Sequence, residues 1–181
     1  LEITTIENFV NGEKDFTATL TKIRQTNPDT ICLVMFYNEL VIIAKQIKQM
    51  GWDDLKVIAL GPGISEQIVE LGGDDVEGFA TSTPFIASEQ NEMVYTFKTE
   101  FEEKAGFTLN VHSACAYDAL NMLAAAIENL GDDVTREGIA AQLSSMKDFV
   151  GVTGPIVFTE DGDVYRKYLI AKIVDGAWVQ Q

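Results

Sequence analysis

Thr30-Ile31-Cys32-Leu33-Val34-Met35-Phe36 is a continuous apolar run of strand length, and Tyr37-Asn38 follow it at the start of a helical pattern. A run without polar alternation fits a strand covered on both faces, as in a parallel sheet. The helix expected next, over residues 38–50, turns Leu40, Ile43, Ile47 and Met50 inward and Lys45, Lys48 and Gln49 outward, and Gly51 ends it. Upstream, Asp15 is placed to cap a helix whose Phe16, Leu20 and Ile23 share one face. Asn27-Pro28-Asp29 then breaks that helix, because the residue before proline is pushed out of the α region.

Downstream the alternation continues. Lys56-Val57-Ile58-Ala59-Leu60 reads as a strand and Gly61-Pro62-Gly63 as a turn. A short helix capped by Ser65 and closed at Gly72-Gly73 leads to a strand at Glu77-Gly78-Phe79-Ala80-Thr81-Ser82. Right-handed βαβ crossovers into a parallel sheet are the economical arrangement, so the fold class is α/β. After the break at Thr83-Pro84-Phe85 the chain turns helical. Met93, Phe97 and Phe101 share one helix face, and Tyr117, Leu120, Leu123, Ala124 and Ile127 share another. Thr135 is placed to cap a third helix with Ile139, Leu143 and Met146 inward. The tail is β-rich, with Asp175-Gly176 as a two-residue hairpin signal. With no linker or repeat, any change of domain falls at short crossings near Thr83-Pro84 and residues 162–165.

Composition narrows the partners. Among 181 residues, 28 acids against 13 Lys and Arg give a formal charge of -15, which repels nucleic acid and anionic membranes. The acid pairs Asp53-Asp54, Asp74-Asp75, Glu102-Glu103 and Asp132-Asp133 read as solvated loops and helix ends. Cys32 and Cys115 lie in apolar runs without metal-ligand or redox spacing, so both are expected to be buried free thiols. No metal and no cofactor are expected. Residues 1–6 alternate like a strand already under way, which suggests a numbering that starts inside a longer natural chain, with any export signal upstream.

Several segments in order resemble the type I periplasmic binding proteins, the solute receptors of branched-chain amino acid ABC importers. They are Asp15-Phe16, Leu20-Thr21-Lys22-Ile23, Asn27-Pro28-Asp29, Lys45-Gln46 and Glu70-Leu71-Gly72-Gly73. Ala116-Tyr117-Asp118-Ala119, Phe149-Val150-Gly151-Val152-Thr153-Gly154-Pro155-Ile156-Val157-Phe158, Asp161-Gly162-Asp163 and Asp175-Gly176 complete the series. The resemblance implies flavodoxin/Rossmann-like lobes, parallel sheets flanked by helices, joined by three crossings and closing on a small ligand. Residues 1–83 with 165–181 then correspond to the second lobe, and 84–164 to the closing helical part of the first. Thr83, Pro84 and Val164 mark the hinge. The strands of the first lobe and the opening strand and helix of the second have no counterpart, so the chain resembles a fragment with an incomplete second lobe. Apolar faces left uncovered in this way lead to an expected homodimer of the isolated chain.

Candidate binding residues gather at strand ends, where open α/β sheets place ligands. Phe36 and Tyr37 offer rings to an aliphatic side chain, and Asn38 and the first helix amides offer a place for a carboxylate; the plainer role is capping the core. The turn Gly61-Pro62-Gly63 lies at the next strand end. Relatives that bind α-amino acids place a carboxylate at the position of Gly63 to pair with the ligand ammonium; glycine there leaves room for an organic acid. His112 is the only histidine, near a cleft-facing position by comparison of spacing, and a helix-end role is the plain alternative. Asp118 is expected to hold a neighbouring loop by hydrogen bonds rather than to meet a ligand.

The chain carries no nucleophile elbow, phosphate loop or H-E-x-x-H motif, so catalysis is not expected. The leading reading is an extracytoplasmic solute-binding component of an ABC importer, periplasmic or lipid-anchored, that takes an amino acid or organic acid and docks on a permease. The alternative is a ligand-binding sensor domain with the same fold.

Overall fold

The opening helix α1, Thr17–Gln25, starts one residue later than the capping pattern suggests, with Phe16 at the N-cap. Asp15 sits just outside and accepts the Thr17 amide at 3.0 Å. Hydrogen bonds from Thr17, hydroxyl first and amide second, hold the Asp15 carboxyl below its ordinary range. The Phe16 ring is 1% exposed and anchors the helix in the core.

The structure, a computed structural model, describes residues 1–60, 65–87 and 91–181. Strands β1 (Thr30–Val34), β2 (Lys56–Leu60) and β3 (Ala80–Thr83) pair in parallel in that order. Between them run α2 (Tyr37–Gln49) and α3 (Glu66–Gly72), the latter followed by a 3-10 turn at Gly73–Val76. This is the α/β alternation expected from the apolar runs. Leu40, Ile43 and Ile47 of α2 are buried, as their spacing requires.

Four expectations need correction here. β1 is an edge strand with one covered face: Ile31, Leu33 and Met35 are buried, while Cys32, Val34 and Phe36 are exposed. A continuous apolar run therefore does not require two covered faces, and Cys32 is an exposed thiol rather than a buried one. Residues 1–10 form no strand, because no neighbouring strand pairs with them. β3 begins at Ala80, since Glu77 and Gly78 serve the tail instead: the Glu77 carboxylate accepts the amides of Asp175 and Gly176, and the Gly78 amide bonds to Ile173.

After Thr83 come α4 (Glu92–Ala105), α5 (Val111–Leu130) and α6 (Arg136–Ser145). Their N-caps are satisfied locally by Asn91, Asn110 and Thr135, whose side chains accept the free amides of the first turns. β4 (Phe149–Gly151), β5 (Gly154–Phe158) and β6 (Val164–Tyr165) form a small antiparallel sheet. β7 (Leu169–Val174) and β8 (Ala177–Gln180) then join the first sheet, giving the order β1-β2-β3-β7-β8. Asp175 and Gly176, at φ 52 and 71, make the turn between them, as the Asp-Gly pair predicts.

The chain divides into two compact units, Leu1–Thr83 with Ile170–Gln181, and Pro84–Leu169. Val164 and Tyr165 pair with Phe158 and Val157 of β5 inside the second unit.

Candidate functional site

In the first unit the turn from β1 into α2 presents the aromatic pair. Phe36 is the N-cap of α2 in extended backbone (φ -76, ψ 161), its carbonyl accepting the Leu40 amide at 3.2 Å. Its ring is 51% exposed, so it does not cap the core. Tyr37 packs half-buried against the core, and Asn38 is exposed. The turn is at the C-terminal edge of the parallel strands, and the helix that follows it is stitched to the segment before α1. The Glu39 carboxylate accepts the Gly12 amide at 3.0 Å, and the Gln46 side chain accepts the Phe16 amide at 2.8 Å. Glu39 is 5% exposed, and its second oxygen, Oε2, is buried without a partner. Sequence reasoning passed over Glu39; the signal was an acid in the first turn of an otherwise apolar helix. Gly61, Pro62 and Gly63 lie outside the described residues.

In the second unit His112 is exposed in the first turn of α5. One turn further, Cys115 is half-buried rather than buried. Asp118 is 1% exposed and has the role expected of it. Its Oδ1 accepts the Val152 amide at 2.8 Å, and its Oδ2 accepts the Thr153 amide at 2.9 Å and the Thr153 hydroxyl at 2.6 Å. Gly151 belongs to the same arrangement, for a Cβ there would run into that carboxylate. Arg166 reaches the Thr153 hydroxyl from the other side.

The inward face of α5 is Ala114, Asp118, Met122 and Ala126, and not the expected Tyr117, Leu120, Leu123, Ala124 and Ile127, which are exposed. The buried face carries small residues and one carboxylate that finds backbone donors, so ranking faces by hydropathy picks the wrong one. A groove of about 660 Å³ opens beside it, lined by Met93 and Phe97 of α4, Tyr117 and Asn121 of α5, and residues 149–152. The Phe97 and Tyr117 rings stand 4.5 Å apart in it. Of the residues expected at the hinge, Thr83 is buried at the end of β3, Pro84 opens the second unit and Val164 is an exposed strand residue of β6.

Among the described residues no group of His, Cys, Asp and Glu could hold a metal ion. No helix among them is long and apolar enough to cross a membrane.

A leucine-, isoleucine-, valine-, threonine- and alanine-binding protein of Pseudomonas aeruginosa is 27% identical over 167 residues, 91% of this chain and 43% of that protein. The crystal structure of the leucine-binding protein LivK of Thermotoga maritima superposes with a TM-score of 0.85 at 30% identity, over 96% of this chain and 49% of the other. A solute-binding protein of an ABC transporter from R. palustris, solved with benzoate, shares the fold at a TM-score of 0.78 and 18% identity, over 95% of this chain and 47% of that one. The chain thus spans less than half the length of each of these three proteins. The family model described as "Periplasmic binding protein" matches residues 2–177, and with the parallel sheet and its flanking helices in agreement, the chain belongs to the periplasmic binding protein family.

Proposed function

We propose that the chain is the ligand-gripping portion of an extracytoplasmic solute-binding component of an ABC importer for branched-chain or related amino acids. The observation that carries this reading is the β1–α2 turn: an exposed Phe36 and a half-buried Tyr37 at the C-terminal edge of parallel strands, above the first amides of a 13-residue helix. Rings of this kind cover an aliphatic side chain, and free helix amides receive a carboxylate. His112 contributes from the start of α5. Residues 1–83 with the tail form the second lobe and 84–164 complete the first, with bending at Thr83, Pro84 and the segment around Val164 as the lobes close on the ligand. The loaded receptor docks on its permease. Glycine at position 63 widens the ligand range to organic acids.

A thermal-shift screen of the receptor that carries this chain, against the twenty amino acids and a panel of organic acids, tests the reading, since a ligand that binds only the folded form raises Tm. A clear shift with Leu, Ile or Val is expected. Failure of every solute in the panel to shift Tm rejects it.

The exposed stripe of α5 supports a second proposal, pairing of the isolated chain with another copy. Apart from the buried Asp118, the helix carries no charge before Glu128, so this face offers nothing to an oppositely charged partner and no repulsion to its own copy. Sedimentation of the isolated chain at micromolar concentration should show a dimer that Leu120→Glu dissociates. A monomer at all concentrations rules the pairing out.

A further inference from the structure

Arg166 stands apart by burial, for Arg24 and Lys147 also donate to carbonyls outside any ion pair but are exposed. The ion pairs among the described residues join Lys22 to Glu7, Lys48 to Asp53 and Lys104 to Glu100, all at the surface. Arg166 is half-buried and enters none of them, in a chain where acids outnumber Lys and Arg by 28 to 13. Its Nη2 donates to the Thr153 hydroxyl at 3.1 Å and its Nη1 to the Cys115 sulfur at 3.4 Å. Its Nε is buried and has no partner. Withdrawing a charge from water is unfavourable unless an opposite charge or a full set of hydrogen bonds replaces the lost hydration.

The surroundings fix the guanidinium without neutralising it directly. The Thr153 hydroxyl gives its proton to Asp118, so its lone pairs face Arg166. Asp118 itself is occupied by three donors and forms no direct ion pair with Arg166, from which the Thr153 hydroxyl separates it. Cys115 supplies a weak acceptor, since a thiol sulfur holds hydrogen bonds poorly. We propose that Arg166 is an anion-recognition point of the second unit, and that its ligand is a carboxylate that takes Nη1 over from the Cys115 thiol. The exchange replaces a weak bond with a charge-assisted one. His112, exposed one turn before Cys115 on the same face of α5, borders the position.

The inference rests on the receptor reading for its biological sense, but the residues all belong to the second unit, so the 181-residue chain carries the site. The probe is sodium benzoate, with benzamide as its uncharged counterpart, followed by calorimetry at low ionic strength. Benzoate binding is expected, with benzamide at least about tenfold weaker, the size of a lost charge-assisted contact. Arg166→Gln, which keeps a donor for Thr153, should weaken benzoate by a similar factor, and Arg166→Lys should recover part of it because the charge remains while the planar fork is lost. Circular dichroism checks that each variant is folded, and the benzoate-to-benzamide comparison on the unaltered chain needs no variant. Equal binding of the two probes, no benzoate binding, or unchanged affinity in a folded Arg166→Gln chain overturns the proposal. A receptor that answers to leucine while benzoate ignores Arg166 loses this site and keeps the importer reading; benzoate capture by the chain through Arg166 while the receptor's Tm answers to no solute of the panel does the reverse.

Discussion

Asp118→Ala is expected to destabilise the second unit by about 3 kcal/mol, the range for stranding buried donors that had bonded to a carboxylate. The carboxylate accepts the amides of Val152 and Thr153, and it receives the Thr153 hydroxyl as well. Alanine leaves both amides without that acceptor at the turn between β4 and β5, and the Thr153 hydroxyl without one for its proton. Asp118→Asn keeps the shape but sets an NH2 group against a donor, and should cost less, about 2 kcal/mol. Gly151→Ala attacks the same contact from the opposite side, because its Cβ and the carboxylate compete for one space. The two sites therefore couple. Once Asp118 is alanine the space is free, and the double variant should be markedly more stable than the sum of the single losses predicts. Thermal unfolding followed by circular dichroism measures all four corners of that cycle; strict additivity would show that the carboxylate and Gly151 do not share the contact.

That arrangement also shows how far the sequence could be read. The α/β alternation was legible because it rests on local signals: apolar runs of strand length, Pro28 before β1, and the Asp-Gly turn between β7 and β8. Asp118 as a loop holder was legible from its place in an apolar helix, where a carboxylate needs donors. What hydropathy could not give was which side of an element is covered. Cys32 and Val34 are as apolar as Ile31 and Leu33, and only the neighbours of β1 decide that one set is buried and the other exposed. The same holds for α5, whose Leu120 is 65% exposed while Ala114 and Asp118 are inside. Arg166 and Glu39 escaped notice for a related reason. A charged residue in sequence is read as solvated by default, and its burial becomes visible only when distant segments, Thr153 for one and Gly12 for the other, are brought beside it.

In the first unit the largest expected effect is at Leu40. Its side chain is fully buried in the first turn of α2, and its amide bonds back to the Phe36 carbonyl. Leu40→Ala removes the contacts behind the turn that bears Phe36 and Tyr37, and should cost about 3 kcal/mol, more if the surroundings cannot collapse into the cavity. Leu40→Met nearly conserves volume and should cost less than about 1.5 kcal/mol. The two tryptophans give this unit its own probe, since Trp52 and Trp178 both pack against its core. The tryptophan-fluorescence transition of Leu40→Ala should fall by about 10 °C or more, given the small size of the unit. Asp118→Ala, by contrast, lies in the unit that holds the 20-residue helix α5 and no tryptophan, so its loss should weigh more on the circular dichroism transition than on fluorescence. If Leu40→Ala leaves the fluorescence transition within a degree or two of the unaltered chain, Leu40 is not the support of the strand-end turn, and the stability of the aromatic pair must come from the Glu39 and Gln46 bonds instead.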